Sequence, residues 1–121
     1  MAKKVLIVED YEDTRNFMKF LIEDYGYQVI EAKDGVEAVN RAKTMHPDLI
    51  LMDISLPIVD GLTATKTIRK FEKGNKLPII AVTAYGNLYY EEAMKAGCNQ
   101  LIDKPLDFDE LRPVLNKYLD H

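Results

Sequence analysis

Only one of the 121 residues is a cysteine, Cys98, so no intrachain disulfide can form and a reducing, cytoplasmic setting is expected. Cys98 follows Gly97 among small residues, which reads as a buried, inert thiol rather than a nucleophile. Histidine is almost as scarce. His46 and His121 stand far apart without cysteine partners, so no zinc site is read from them. Basic charge is not in excess either: 16 Lys and Arg against 20 Asp and Glu leave a net charge of −4. That balance gives no reason to expect nucleic acid or an anionic membrane as a direct partner. No apolar run is long enough to span a bilayer, and Lys3 and Lys4 precede only a strand-length run, unlike a signal peptide. Repeats, low-complexity tracts and linker composition are missing too. One domain over residues 1–121, with no output domain, is therefore expected.

What the chain does have is a core. Its hydrophobic content of 47% argues against disorder. The apolar run Leu49–Met52 ends abruptly in Asp53, and a run this short without polar alternation suits a strand buried on both faces. Val5–Val8, Tyr27–Glu31, Ile79–Val82 and Gln100–Ile102 read as four more strands. Between them lie helical patterns. Phe17, Phe20 and Leu21 mark an amphipathic helix over Asp13–Tyr25, stopped by Gly26. Val36, Val39, Ala42 and Met45 carry a second, closed by Pro47. Leu62, Thr65 and Ile68 give the third an inner face, and Gly74-Asn75 signals the loop after it. Asn87–Ala96 is a fourth, stopped at Gly97. Asp107 caps a fifth, with Glu110 reaching back, and Pro113 inside it implies a kink or a late start. Strands and helices alternate five times, which implies an α/β fold with a parallel sheet covered on both faces.

In such a sheet the carboxyl ends of all strands share one edge, where ligands bind. At those ends stand Glu9, Asp10, Asp53, Thr83 and Lys104. Each has a bland reading taken alone, as loop acid, turn residue or solvated lysine. Together they place three carboxylates, a hydroxyl and an ammonium at one edge, which chance seldom does. Crowded carboxylates repel, and a divalent cation relieves the repulsion. Hard oxygen donors suit magnesium. A metal beside a carboxylate, with lysine and hydroxyl opposite, can receive a phosphoryl group and form an aspartyl phosphate.

The pieces Val8-Glu9-Asp10, Leu51 through Gly61, Val82-Thr83-Ala84, Ala96-Gly97 and Lys104-Pro105 together resemble a CheY-like response-regulator receiver domain over the whole chain. The resemblance implies a flavodoxin-like, doubly wound (βα)5 fold with strand order 2-1-3-4-5. It implies that Asp53 is the phosphoacceptor, that Asp10 binds the metal directly, that Glu9 holds metal-bound water, and that the Ser55 backbone carbonyl is a further ligand. Lys104 would pair with the phosphoryl group, Thr83 would move onto it, and the Lys104–Pro105 bond would be cis. The implied ion is Mg2+, with Mn2+ as the alternative. The implied donor is a histidine kinase or histidine phosphotransfer protein, acting on a regulator rather than an enzyme. An output protein, not identified by the sequence, would read the face made by the fourth helix, fifth strand and fifth helix. The domain would be monomeric or a weak phosphorylation-dependent dimer. One departure stands out: relatives commonly carry Tyr or Phe in the fifth strand as a rotating switch, and this chain has Leu101. Tyr85, Tyr89 and Tyr90 around the fourth-helix start read equally as partly buried or as a partner-binding face.

Three rivals are weaker. Phosphatases with an aspartate nucleophile place a second Asp two positions on, where this chain has Ser55. A flavodoxin-like cofactor binder needs a Gly/Ser/Thr-rich loop after the first strand, and Glu9-Asp10 would repel a phosphate there. A receiver-like module that has lost phosphorylation is disfavoured by the complete set of acids, Thr83 and Lys104.

Overall fold

The computed structural model describes residues 2–56, 59–72 and 76–119. Ten elements follow in strict alternation: β1 Lys4–Val8, α1 Glu12–Asp24, β2 Gln28–Ala32, α2 Gly35–Met45, β3 Leu49–Asp53, α3 Gly61–Phe71, β4 Ile79–Thr83, α4 Gly86–Ala96, β5 Gln100–Asp103 and α5 Phe108–Leu119. The strands form one parallel sheet in the order β2-β1-β3-β4-β5. The Gly74-Asn75 loop signal and Pro57 lie outside the described residues.

Two apolar layers sandwich the sheet, and the period of two along each strand decides which residue joins which. Val5, Ile7, Leu49, Leu51, Ile80 and Val82 pack with α1 and α5. Leu6, Val8, Ile50, Met52, Ile79 and Ala81 pack with α2, α3 and α4. Both faces of β1, β3 and β4 are therefore dry, which is why these strands read as unbroken apolar runs. Among the described residues no helix is long and apolar enough to cross a membrane.

The helix ends follow local chemistry. Asp34 and Asp60 cap α2 and α3, each accepting a backbone N–H at 2.8 Å. Gly26 and Gly97 follow α1 and α4 with φ of 95° and 114°. Asp107 caps α5 through the Glu110 N–H at 2.8 Å. Of the kink or late start expected from Pro113, the late start does not occur, because that cap sets the start at Phe108 and the helix runs through the proline to Leu119. Proline strips a partner only from the carbonyl four residues back, on exposed Asp109, where water can replace it.

The inner face of α1 differs from the one its aromatics suggest. Met18, Leu21 and Ile22 are buried, whereas Phe17 is 49% and Phe20 62% exposed. Positions 18, 21, 22 and 25 form one stripe at helical spacing, and Phe20 falls on the far side of it. In α2 the small residues Ala38 and Ala42 face the sheet, and Val36 and Met45 are exposed.

Candidate functional site

Each candidate side chain sits where an apolar strand runs out. β1 ends at Val8, and Glu9 continues its pairing by donating its N–H to the Ala32 carbonyl at 3.0 Å. Glu9 is only 1% exposed, while its neighbour Asp10 faces solvent. A buried carboxylate requires partners, and Glu9 has them. Its Oε1 accepts from Lys104 Nζ at 2.6 Å and its Oε2 from the Tyr11 N–H at 3.1 Å. Arg15 Nη1 donates to the Glu9 backbone carbonyl at 3.0 Å.

Asp53 closes β3 and is 4% exposed. Its Oδ1 accepts from the Ser55 N–H at 3.0 Å and its Oδ2 from Lys104 Nζ at 3.2 Å. The chain turns sharply here: Ile54 donates to the Val82 carbonyl at 3.2 Å and accepts from the Gly61 N–H at 3.0 Å. A Cβ on Gly61 would strike the Asp53 carbonyl, so only glycine lets α3 begin this close to the strand end. Thr83 closes β4, buried, and its Oγ1 accepts from the Tyr85 N–H at 3.1 Å. Lys104 lies just past β5. Its N–H bonds the Thr83 carbonyl at 2.8 Å, and its bond to Pro105 is cis, as expected.

Carboxylate oxygens of Glu9, Asp10 and Asp53 lie within 4.8 Å of one another. Lys104 is thus a cation held between two members of an acidic trio. Burial by itself lowers the pKa of the Lys104 ammonium, but the hydrogen bond it donates to Glu9 and the charges of Asp53 and Glu9 outweigh it and hold the pKa above its ordinary value. The lysine stays charged at neutral pH.

The structure brings together Glu9, Asp10, Asp53 and Lys104, four residues from three strand ends. Ser55 meets Asp53 through its N–H. Thr83 stands at the neighbouring strand end, and among the described residues no hydrogen bond joins it to Asp53. Two features escaped the sequence. One is the pairing of Lys104 with Glu9, 95 positions apart. The other is a groove of about 470 Å3 beside Lys104, lined mostly by apolar groups, including Phe17, Met18, Ala84, Pro105 and Leu106. The exposed Phe17 was the only sequence signal for it, and it read as core.

Comparison with known proteins bears on this geometry. Residues 5–116 match the family model of the response regulator receiver domain. The polar-differentiation response regulator DivK of Brucella ovis is 42% identical over 120 residues, covering 98% of both chains. The receiver domain of sensor histidine kinase PA1611 from Pseudomonas aeruginosa, solved with a magnesium ion coordinated in its active-site cleft, superposes with a TM-score of 0.92 at 34% identity over the full length of both chains. A chain from the co-crystal of the Saccharomyces cerevisiae histidine phosphotransfer protein Ypd1 and the receiver domain of Ssk1 superposes with a TM-score of 0.88 at 31% identity, covering 97% of this chain and 88% of that one.

Proposed function

The chain belongs to the response regulator receiver domain family of two-component signalling, and from that premise we propose that residues 1–121 form a single receiver domain whose Asp53 accepts a phosphoryl group from a histidine kinase or histidine phosphotransfer protein. The observation that carries this reading is Lys104 bridging Glu9 and Asp53 beside Asp10, with three carboxylates within 4.8 Å. A cation already sits where phosphoryl oxygens would need one, and the acids are too many for it alone.

The donor set fits magnesium: hard oxygens only, converging from two strand ends, with Asp10 open to solvent. Asp10 and Asp53 would bind it directly, Glu9 through water, and Ser55 through its carbonyl, and manganese would substitute. When bound, the ion supplies neutralisation of the charge that builds on the phosphoryl oxygens. The chain's residues do the rest. An Asp53 carboxylate oxygen forms the new bond to phosphorus as the phosphorus–nitrogen bond of a phosphohistidine breaks, and the electron pair leaves on the imidazole nitrogen. Lys104 turns from Asp53 to a phosphoryl oxygen while keeping Glu9. The Thr83 hydroxyl donates to another. Release is by water, so the domain acts only on itself and is a regulator, not an enzyme with an external substrate. The changed surface is the face of α4, β5 and α5, where Tyr85 and Tyr90 are exposed and Tyr89 is partly buried, and an output protein reads it there. Buried Cys98 is consistent with a cytoplasmic setting.

The test is intact mass after incubation with a small phosphodonor and magnesium. One labile phosphoryl group is expected on the wild type and none on Asp53→Asn, and a chelator abolishes labelling. Asp10→Asn weakens magnesium binding. Steady turnover of phosphomonoesters would favour a phosphatase instead.

A further inference from the structure

Two consecutive backbone amides at the start of α4 are held by side chains from neighbouring strands. The Tyr85 N–H donates to Thr83 Oγ1 and the Gly86 N–H to Asp103 Oδ1, both at 3.1 Å. Tyr85 is the N-cap residue and caps nothing with its own side chain, and the first turn of α4 contains no acid. Asp103 therefore supplies from β5 the carboxylate that an N-cap aspartate supplies locally, at the positive end of the helix dipole. The fit is close. A Cβ on Gly86 would push that carboxylate and Leu101 Cδ2 aside, so the carboxylate keeps this place over the amide only with glycine at position 86. Thr83 and Asp103 are direct partners in the β4–β5 register, so the two tethers stand side by side. Side chains alternate along a strand: Asp103 turns to α4 while Lys104, next in the chain, reaches the acidic trio. The far end of α4 is anchored separately, by Arg69 Nε and Nη2 donating to the Gly97 carbonyl at 2.9 and 2.8 Å.

We propose that Asp103 is a latch that holds the α4 start in its resting place, and that it is set against Thr83 so that a phosphoryl group on Asp53 pulls the two tethers apart. The inference rests on Asp53 being the phosphoacceptor. An aspartyl phosphate carries about two negative charges at neutral pH where the Asp53 carboxylate carried one, and it carries them further out toward Thr83. That charge attracts the Thr83 hydroxyl and repels the Asp103 carboxylate. Tyr85 and Gly86 are adjacent, so when Thr83 carries Tyr85 inward, the Gly86 N–H is drawn off Asp103. With Gly97 anchored, the helix swings at its freed end. No aromatic rotation is needed, which suits a chain with leucine at position 101.

The test is NMR of wild type, Asp103→Ala and Asp103→Asn, each free and with magnesium and beryllofluoride, a mimic of the aspartyl phosphate. Free Asp103→Ala is expected to show Tyr85–Tyr90 resonances displaced toward their activated positions. Its active-like population, and its initial rate of labelling by a small phosphodonor, should rise roughly fivefold, the scale of one hydrogen bond. Asp103→Asn keeps an acceptor for Gly86 and should stay near wild type when free. In the wild type, whatever the variants do, the Gly86 amide should exchange slowly with solvent when free and faster with the mimic. Unchanged Gly86 protection, or an Asp103→Ala helix start that frays without moving toward the activated positions, would overturn the latch. If the mimic shifted neither Asp10 nor Lys104, the phosphoacceptor reading itself would fall. If it shifted both and left Gly86 unaffected, the latch alone would.

Discussion

Lys104 shows how far single residues are legible. Its place at a strand end, and those of Glu9, Asp10 and Asp53, follow from apolar runs that stop in a charge, a pattern visible in the sequence. Its partners do not follow, because a pairing across 95 positions depends on strand order and on which face each side chain takes. Cys98 was legible as buried, and its sulfur lies 3.9 Å from Thr65 Oγ1. Burial pushes its pKa up from an ordinary 9.0, against smaller opposing effects of Thr65 and Arg69. The unfolded thiol thus ionises at lower pH than the folded one. Its contribution to stability is whole below about 9 and is lost as pH rises through the folded value. Urea unfolding should show wild type losing ground to Cys98→Ala as the pH rises above about 9. A constant gap between the two would contradict the shift. His46 was not legible. It ends α2 with φ 50° and is the only described residue other than glycine with positive φ. His46→Gly should stabilise the domain by roughly 0.5 kcal/mol, the left-handed strain relieved less the freedom glycine adds to the unfolded chain. Denaturant midpoints decide it, and a lower midpoint for the variant would show that the His46 side chain contributes more than its strain costs.

At the scale of elements, existence and type were legible throughout, and the inner faces less so. Phe17 and Phe20 outweigh Met18 and Ile22 in bulk, so size pointed to one face of α1 and the stripe at 18, 21, 22 and 25 to another. The stripe won, since it alone meets the sheet. This leaves Phe17 half-exposed in the lining of an apolar groove that opens on Lys104, with Phe20 exposed one turn further along α1. An exposed apolar patch beside a reactive centre suits a docking surface. Phe17→Ala and Phe20→Ala are expected to slow phosphoryl transfer from a histidine phosphotransfer protein by roughly tenfold, the cost of one anchoring contact. Labelling by a small phosphodonor should not change, and Phe20→Ala should alter stability by no more than about 0.5 kcal/mol. Equal slowing with both donors would assign these residues to the chemistry or to folding, not to docking. The trans cap on α4 was invisible in sequence for a different reason: Asp103 and Gly86 belong to different elements, and only the β4–β5 register brings them together.

For the whole molecule, alternation of strand and helix implied a parallel sheet, but strand order came from family resemblance, because periodicity says nothing about which strands are neighbours. The order found, β2-β1-β3-β4-β5, puts β1 and β3 side by side and so brings Glu9, Asp10 and Asp53 into one cluster. That cluster sets the acidic end of the molecule against itself, and a ligand that binds only the folded form must stabilise it. Magnesium at ten times its dissociation constant should add about 1.4 kcal/mol, raising the melting temperature by roughly 5 °C. Asp10→Asn should melt higher than wild type without metal and respond less to it. A melting temperature indifferent to millimolar magnesium would remove the metal from the account.

The central claim is that one side chain in this cluster carries the phosphoryl group. Its most direct test is reductive trapping: borohydride converts an aspartyl phosphate to homoserine, and peptide mass spectrometry reads the position. The account predicts homoserine at position 53, only after incubation with phosphodonor and magnesium, and nowhere else. Reduction at Glu9 or Asp10 instead, or phosphate on Asp53→Asn that survives acid, would contradict it.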